Sequence, residues 1–325
     1  MKSTVGKFIF TSIAMLALSF TGSANPVTVK TGIYVSALQD INTSNGSFGA
    51  DIWIWYNSPV KSEVDLLKTR DLINAIDHKV LVSDSEAKGS VTWAAEKIHG
   101  TFSNEFDIKN FPFDKHRLSF VLEESIADAS ELIFEADSKN SAIDSNVELQ
   151  GWKIDDLEIK SDIHKYTSTF GDPSSTSGST YARTVATLTI SRHATGLFAK
   201  IATPLYISLA ITIIAFFMTT KADDIFSGRM GLLVAMVFSV VINQQASEAA
   251  IGISATTTLI DKLHTQGLFA IFLSIAITLL ARFLNDNDKE AAARRIDIAT
   301  AALITTVIVV RSAMLINKAK NGLPL

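Results

Sequence analysis

The run Gly196-Leu-Phe-Ala-Lys-Ile-Ala-Thr-Pro-Leu-Tyr-Ile-Ser-Leu-Ala-Ile-Thr-Ile-Ile-Ala-Phe-Phe-Met218 decides how this chain is built. It is 23 residues long, and from Ile207 to Phe217 it has almost no polar position. A helix on the surface of a soluble protein needs a polar stripe, and about 20 apolar residues suffice to cross a bilayer core. The stretch therefore reads as a membrane span. Three more follow at 225–250, 266–284 and 296–316, separated by short gaps. The competing reading, four buried helices of a soluble protein, lacks that polar stripe.

The chain before these spans differs in kind. Residues 25–191 carry 15 Lys and Arg against 25 Asp and Glu, a charge of −10, whereas residues 192–325 carry 12 against 8, or +4. The formal −4 of the whole conceals this division. Residues 1–24 read as a cleaved signal peptide: Lys2 and Lys7, a short apolar run from Phe8 to Phe20, and the small residues Gly22-Ser23-Ala24 before Asn25. An exported N-terminal domain and four spans return the C-terminus to the outside. Arg282, Lys289, Arg294 and Arg295 then gather on the inside, as the distribution of positive charge prefers.

The acidic region reads as β. Ile33–Ala37, Ala50–Tyr56, Val91–Ile98, Leu118–Leu122, Glu131–Ala136, Gly151–Ile159 and Tyr181–Ser191 are β-branched or aromatic runs. Turn signals at Asn45-Gly46, Asp172-Pro173 and Ser177-Gly178 lie between them. Seven or more short strands imply an antiparallel, immunoglobulin-like β-sandwich at 25–192, ahead of a four-helix transmembrane domain at 193–325. The absence of Cys excludes a disulfide scaffold, a Cys-ligated metal and a thiol nucleophile. The six His are scattered at 78, 99, 116, 164, 193 and 264, so no metal is expected. No Gly-rich phosphate loop, HExxH or GxSxG is present, so neither an enzyme nor a cofactor or nucleic-acid partner is expected.

One stretch narrows the choice. Phe111-Pro112-Phe113-Asp114 resembles the signature of pentameric ligand-gated ion channels, the Cys-loop receptor superfamily. In that family two cysteines close the loop; here those positions are Asn104 and Leu118, as in the bacterial, Cys-less branch. The resemblance runs in order along nearly all of the mature chain. Asp51-Ile-Trp-Ile-Trp-Tyr56 is similar to the second strand, Arg192 to the arginine before the first span, and Pro204 to a proline within it. Phe226-Ser-Gly-Arg-Met230 is similar to the entrance of the second span, and Thr257-Thr-Leu-Ile-Asp261 to the start of the third.

Within the second span, Gly231, Ala235, Phe238, Ile242, Gln245 and Ala249 fall on one helix face. The resemblance makes this the pore-lining face, repeated five times around an axis. Phe238 and Ile242 would form narrow apolar rings that close a pore by dewetting. Asp223 and Asp224 at one end and Glu248 at the other are the selectivity candidates, and with the acidic domain they favour cations. The resemblance also pairs Asp114 of the FPFD loop with Arg192 for coupling, with Asp40 as a third member and residues 252–259 as the membrane-side contact.

Ligands in the family bind between subunits under a loop matching Tyr166–Tyr181, whose run at 174–180 is rich in Ser, Gly and Thr. Tyr166, Phe170 and Tyr181 on that side, and Trp53, Trp55 and Tyr56 on the opposing strand, are the binding candidates. No aromatic lies near Glu123–Ile126, which weighs against an amine cage and leaves protons as an alternative agonist. The sequence is read as a homopentameric channel of a bacterial inner membrane, with its sandwich in the periplasm. A non-conducting membrane sensor is the alternative.

Overall fold

The computed structural model describes residues 25–60, 64–171, 173, 178–249, 251–252 and 256–325. The expected leader at 1–24, Ala250 at the end of the second span, and Asp172 and Ser174 to Ser177 of the predicted loop and its two turns lie outside the described residues.

The N-terminal domain is β-rich: β1 (Val27–Asn42), β2 (Ser47–Pro59), a one-turn α1 (Leu66–Thr69), β3 (Arg70–Leu72), β4 (Ala75–Lys88), β5 (Val91–Ser103), β6 (Lys115–Glu124), β7 (Leu132–Ala136), β8 (Ala142–Ile143), β9 (Trp152–Tyr166) and β10 (Ser179–Arg192). One sheet has the order β4-β5-β2-β1-β7, with β8 also on β1; the other runs β3-β6-β10-β9. Both contribute to one core. Phe48 and Phe102 of the first sheet meet Phe120 of the second, with ring centroids 4.9–5.5 Å apart.

Period-2 alternation sets the inward faces. On β2 it buries Ile52, Ile54 and Tyr56, and on β10 Ala186, Leu188 and Ile190. Gly32 of β1 lies beneath the indole of Trp55, where any Cβ would collide with the ring.

Two sequence expectations need correction. The sheets are not wholly antiparallel, because β7 and β8 both pair with β1 in parallel. The chain leaves β6 in the second sheet and crosses to the first, so β7 arrives running the same way as β1. The second correction is β4, a 14-residue strand absent from the predicted set. All but its first residue are exposed. With neither face covered, its sequence has no reason to alternate, which is the signal a strand is recognised by.

Four helices follow: α2 (Ala194–Ala215), α3 (Asp223–Ala249), α4 (Leu259–Asp286) and α5 (Glu290–Lys320). Each is long and apolar enough to cross a membrane, which makes the chain a multi-pass membrane protein. Leu205 and Leu209 of α2, Val240 of α3, Ile271 of α4 and Ile304 and Ile308 of α5 share one apolar core. Two helices begin earlier than hydropathy indicates. In α4 a capping box explains it: the Thr258 side chain accepts from Asp261 N, and the Asp261 carboxylate accepts from Thr258 N. In α5 the first turns are the Ala-rich Glu290-Ala-Ala-Ala-Arg294, polar but strongly helix-forming.

The β domain carries an inter-sheet ion pair that the sequence did not reveal. Arg70 of β3 donates from Nε and Nη2 to both oxygens of Glu96 on β5, each at 2.6 Å, and Tyr56 Oη donates to Oε1 at 2.9 Å. Burial, then the adjacent Glu96 charge, pushes the Tyr56 phenol well up. Replacing Glu96 by Ala leaves the Arg70 guanidinium unpaired and is expected to cost about 3–5 kcal/mol. The double change Arg70→Met with Glu96→Met is expected to recover most of that. Thermal unfolding followed by the β-sheet circular dichroism signal checks both.

Candidate functional site

The two domains meet where β10 becomes α2, and Asp114 organises the meeting. Its carboxylate is buried and accepts from Arg192 Nε at 2.9 Å and Nη2 at 3.0 Å, a two-pronged pair. His116 Nε2 lies 2.7 Å from the same carboxylate and donates to it. The Arg192 guanidinium lies 4.0 Å over the Trp152 ring and 5.0 Å from that of Phe111. Burial pushes the Asp114 carboxyl up, but hydrogen bonds from His116 and Arg192 outweigh it and hold the group below the usual carboxylate range.

The FPFD loop is seated on the helices. Phe111 and Pro112 are buried, and Phe111 clusters with Ile108, Ile201 of α2 and Ile260 of α4. Phe113 packs on Phe198 of α2 with centroids 5.4 Å apart, and Lys320 Nζ at the end of α5 lies 5.3 Å from the Phe113 ring centre. Among the described residues, hydrogen bonds crossing the junction include Leu259 N to Lys109 O at 2.8 Å and Thr43 Oγ1 to Ile251 O at 3.2 Å. Asp40 does not join the cluster. It is exposed in the β1–β2 hairpin with φ 53°, and His116 takes the third place. His116 sits two residues after Asp114, the spacing that puts both side chains on one side of an extended chain. That spacing is legible in the sequence.

On α3 every one of Gly231, Ala235, Phe238, Ile242, Gln245 and Ala249 is exposed. Phe238 and Ile242 are 63% and 65% accessible. The opposite side is buried, and polar contacts hold it there. Arg229 donates from Nη1 and Nη2 to the Asp297 carboxylate of α5 at 3.0 and 2.8 Å. Asn243 Nδ2 donates to Ile201 O at 2.9 Å and to His264 Nε2 at 2.8 Å. Ser239 Oγ lies 2.9 Å from Ser208 Oγ of α2. Asp223 and Asp224 are exposed in the first turn, with Asp223 paired to Arg282 at 2.7 Å, and Glu248 is exposed in the last turn.

No family model matches this chain, and no curated protein matches it in sequence.

The ligand candidates divide. Tyr166, Phe170 and Tyr181 form one cluster, with centroids 5.2, 6.0 and 6.5 Å apart. Arg183 donates from Nη2 to Tyr166 Oη at 3.0 Å and pairs with buried Glu123, while Tyr166 donates to Glu123 at 2.8 Å. Burial, then that hydrogen bond, pushes the Tyr166 phenol up. Glu123 and Arg183 are register partners across β6 and β10. Sequence reading missed this pair because facing positions emerge only once the register is known. Trp53 and Trp55 occupy the other sheet, and Trp55 Nε1 donates to Asp137 at 3.2 Å. Tyr56 points the opposite way, into the core, where it bonds Glu96.

Asp114→Asn keeps the shape of the junction and removes the charge, at an expected cost of about 3 kcal/mol. Because the folded carboxyl is held low, its contribution is complete above the ordinary carboxylate range and fades as pH falls through the depressed value. The stability gap between wild type and variant, measured by thermal unfolding in detergent, is therefore expected to be full at neutral pH and to shrink on acidification.

Proposed function

We propose that the chain is one subunit of a homopentameric ligand-gated ion channel of a bacterial inner membrane. The observation that carries this reading is the complete exposure of the α3 stripe. Three polar anchors tie another face of α3 to the neighbouring helices, which supports a stripe whose exposure follows from the fold. Facing lipid, Gln245 and the neighbouring Glu248 would be costly at membrane depth. Facing a water-filled axis, the same residues are solvated and the small Gly231 and Ala235 leave room for ions. The β domain is then an immunoglobulin-like sandwich in the periplasm, and the helices form a four-helix transmembrane bundle.

In this reading Phe238 and Ile242 form the closed gate by excluding water. Glu248, Asp223 and Asp224, beneath a domain of charge −10, enrich cations at the mouths. A small-molecule or proton agonist acts on the β domain. The Asp114–Arg192–His116 cluster passes the resulting movement to α2 and, through Phe111 and Leu259, to the helices beside α3.

Currents from the full-length protein in liposomes, recorded while pH is stepped and small amines and carboxylates are applied, test the proposal. Phe238→Ala is expected to raise the resting open fraction about tenfold or more, since each 1.4 kcal/mol removed from the closed state is a factor of ten. Arg192→Ala is expected to abolish opening or assembly. Silence of folded protein under every condition would instead favour a non-conducting sensor.

A further inference from the structure

The dipeptide Asn-Gly occurs twice in the chain, at 45–46 and at 321–322. In such a pair the glycine nitrogen can attack the side-chain carbonyl of the asparagine, because no Cβ stands in the way. Both pairs lie at the domain junction. Asn45 belongs to the turn at 43–46 between β1 and β2, where Thr43 bonds Ile251 O, and Asn321 follows α5 and lines a cavity with Phe113. Their surroundings differ. Asn321 Nδ2 donates to Asn317 O at 2.8 Å and Asn317 Oδ1 at 3.2 Å, and Gly322 N donates to Ala319 O at 3.2 Å. Asn45 is exposed. Among the described residues its side-chain amide makes no hydrogen bond, and the Gly46 N–H donates none. Attack at 321 must first break bonds, whereas at 45 both reacting groups are free.

We infer that Asn45 is a site of spontaneous modification, converting with time to aspartate and iso-aspartate. The Gly46 nitrogen gives its proton to solvent and forms a bond to Asn45 Cγ, and ammonia leaves from that carbon. Water then opens the resulting cyclic imide at one carbonyl or the other. The net change is water in and ammonia out, with nothing oxidised or reduced. Both products place a carboxylate at position 45. Iso-aspartate also routes the main chain through the former side chain and lengthens it by one carbon. The turn has no slack for that, since Asn42 Oδ1 accepts from Ser44 N at 3.1 Å and Asn45 N at 2.9 Å, and Asn104 N donates to Gly46 O at 2.8 Å. It is also seated on the helix side: a Cβ at Gly252 would stand 2.5 Å from Ser44 Cβ. Iso-aspartate at 45 therefore loosens the contact between the β1–β2 turn and the segment after α3. The inference needs neither a pore nor an agonist.

The test is peptide mapping by mass spectrometry of the purified full-length protein, kept folded in detergent at mildly alkaline pH in water enriched in oxygen-18. Acid formed during the incubation carries the heavy oxygen and is told apart from acid present beforehand. Asn45 is expected to gain label about thirtyfold faster than Asn321, the handicap of the Asn317 O and Ala319 O bonds. In urea the two rates are expected to converge. The aged protein, with iso-aspartate at 45 identified by fragmentation, is expected to unfold at a lower temperature than fresh protein. Asn45→Asp, which adds the charge without lengthening the chain, is expected to unfold with fresh protein and to gain no label at 45. Equal labelling of Asn45 and Asn321 in the folded protein overturns the inference. So does an Asn45 that labels in urea and not in the folded protein. Aged protein that carries iso-aspartate and unfolds with fresh protein overturns the loosening of the contact.

Discussion

A buried carboxylate held from two sides sits at the one point where the β domain becomes a membrane helix. Taking Asp114 and Arg192 out of water costs several kcal/mol per ion, and only close geometry with further hydrogen bonds offsets that. Here the guanidinium binds with two prongs, His116 donates a third bond, and the Trp152 ring lies under the cation. Arg192 ends β10 and α2 begins two residues later, so the pair fixes the direction in which the first helix leaves the sheet. The same carboxylate belongs to the loop that seats Phe111 and Phe113 on α2 and α4. Any rotation of one domain against the other must move this cluster and its flanking bonds together.

Below the junction the helices meet a different constraint. Lipid is as apolar as Leu, so no hydrophobic force distinguishes one helix face from another. Orientation then rests on polar and small contacts, and α3 has one at each level. Arg229 binds Asp297 near its start, Ser239 meets Ser208 in the middle, and Asn243 bridges Ile201 O and His264 towards its end. Removing Asp297 would leave a guanidinium without exposure and without an acid, so the α3–α5 contact is hard to vary. Arg229 lies opposite Phe238, with Asn243 and Ser239 towards the flank of the same helix, and together they hold the stripe facing away from the protomer.

How much of this the sequence made legible depended on whether a signal was local. The pairing of the FPFD loop with Arg192 followed only from the family resemblance, whereas the four spans, the alternating face of β10 and the α3 stripe follow from periodicity. Features that depend on distant partners did not. Glu96 with Arg70, Glu123 with Arg183, and Arg229 with Asp297 are each separated by 26 to 68 positions, and nothing local marks them as pairs. Tyr56 shares a short run with the other binding candidates Trp53 and Trp55. Strand parity sends it to the other face, where Glu96 waits. The strand β4 escaped because it is exposed on both faces, and a strand without a buried face leaves no pattern to read.

That exposure bears on the proposed assembly as directly as the α3 stripe does. A long edge strand with accessible Ile76, Val80, Leu81 and Val82 presents unpaired backbone and apolar surface, a combination that single domains normally blunt. The opposite flank, the β9 edge of the second sheet, exposes Ile163 and Phe170 beside the Tyr166 and Tyr181 cluster. The two surfaces differ, so two copies meeting through them would make a head-to-tail contact, which closes into a ring only where the rotation from one copy to the next divides a full turn. In the proposed pentamer a contact of this kind would cover the β4 edge, and an axis lined by the α3 stripe would keep Gln245 in water rather than in lipid.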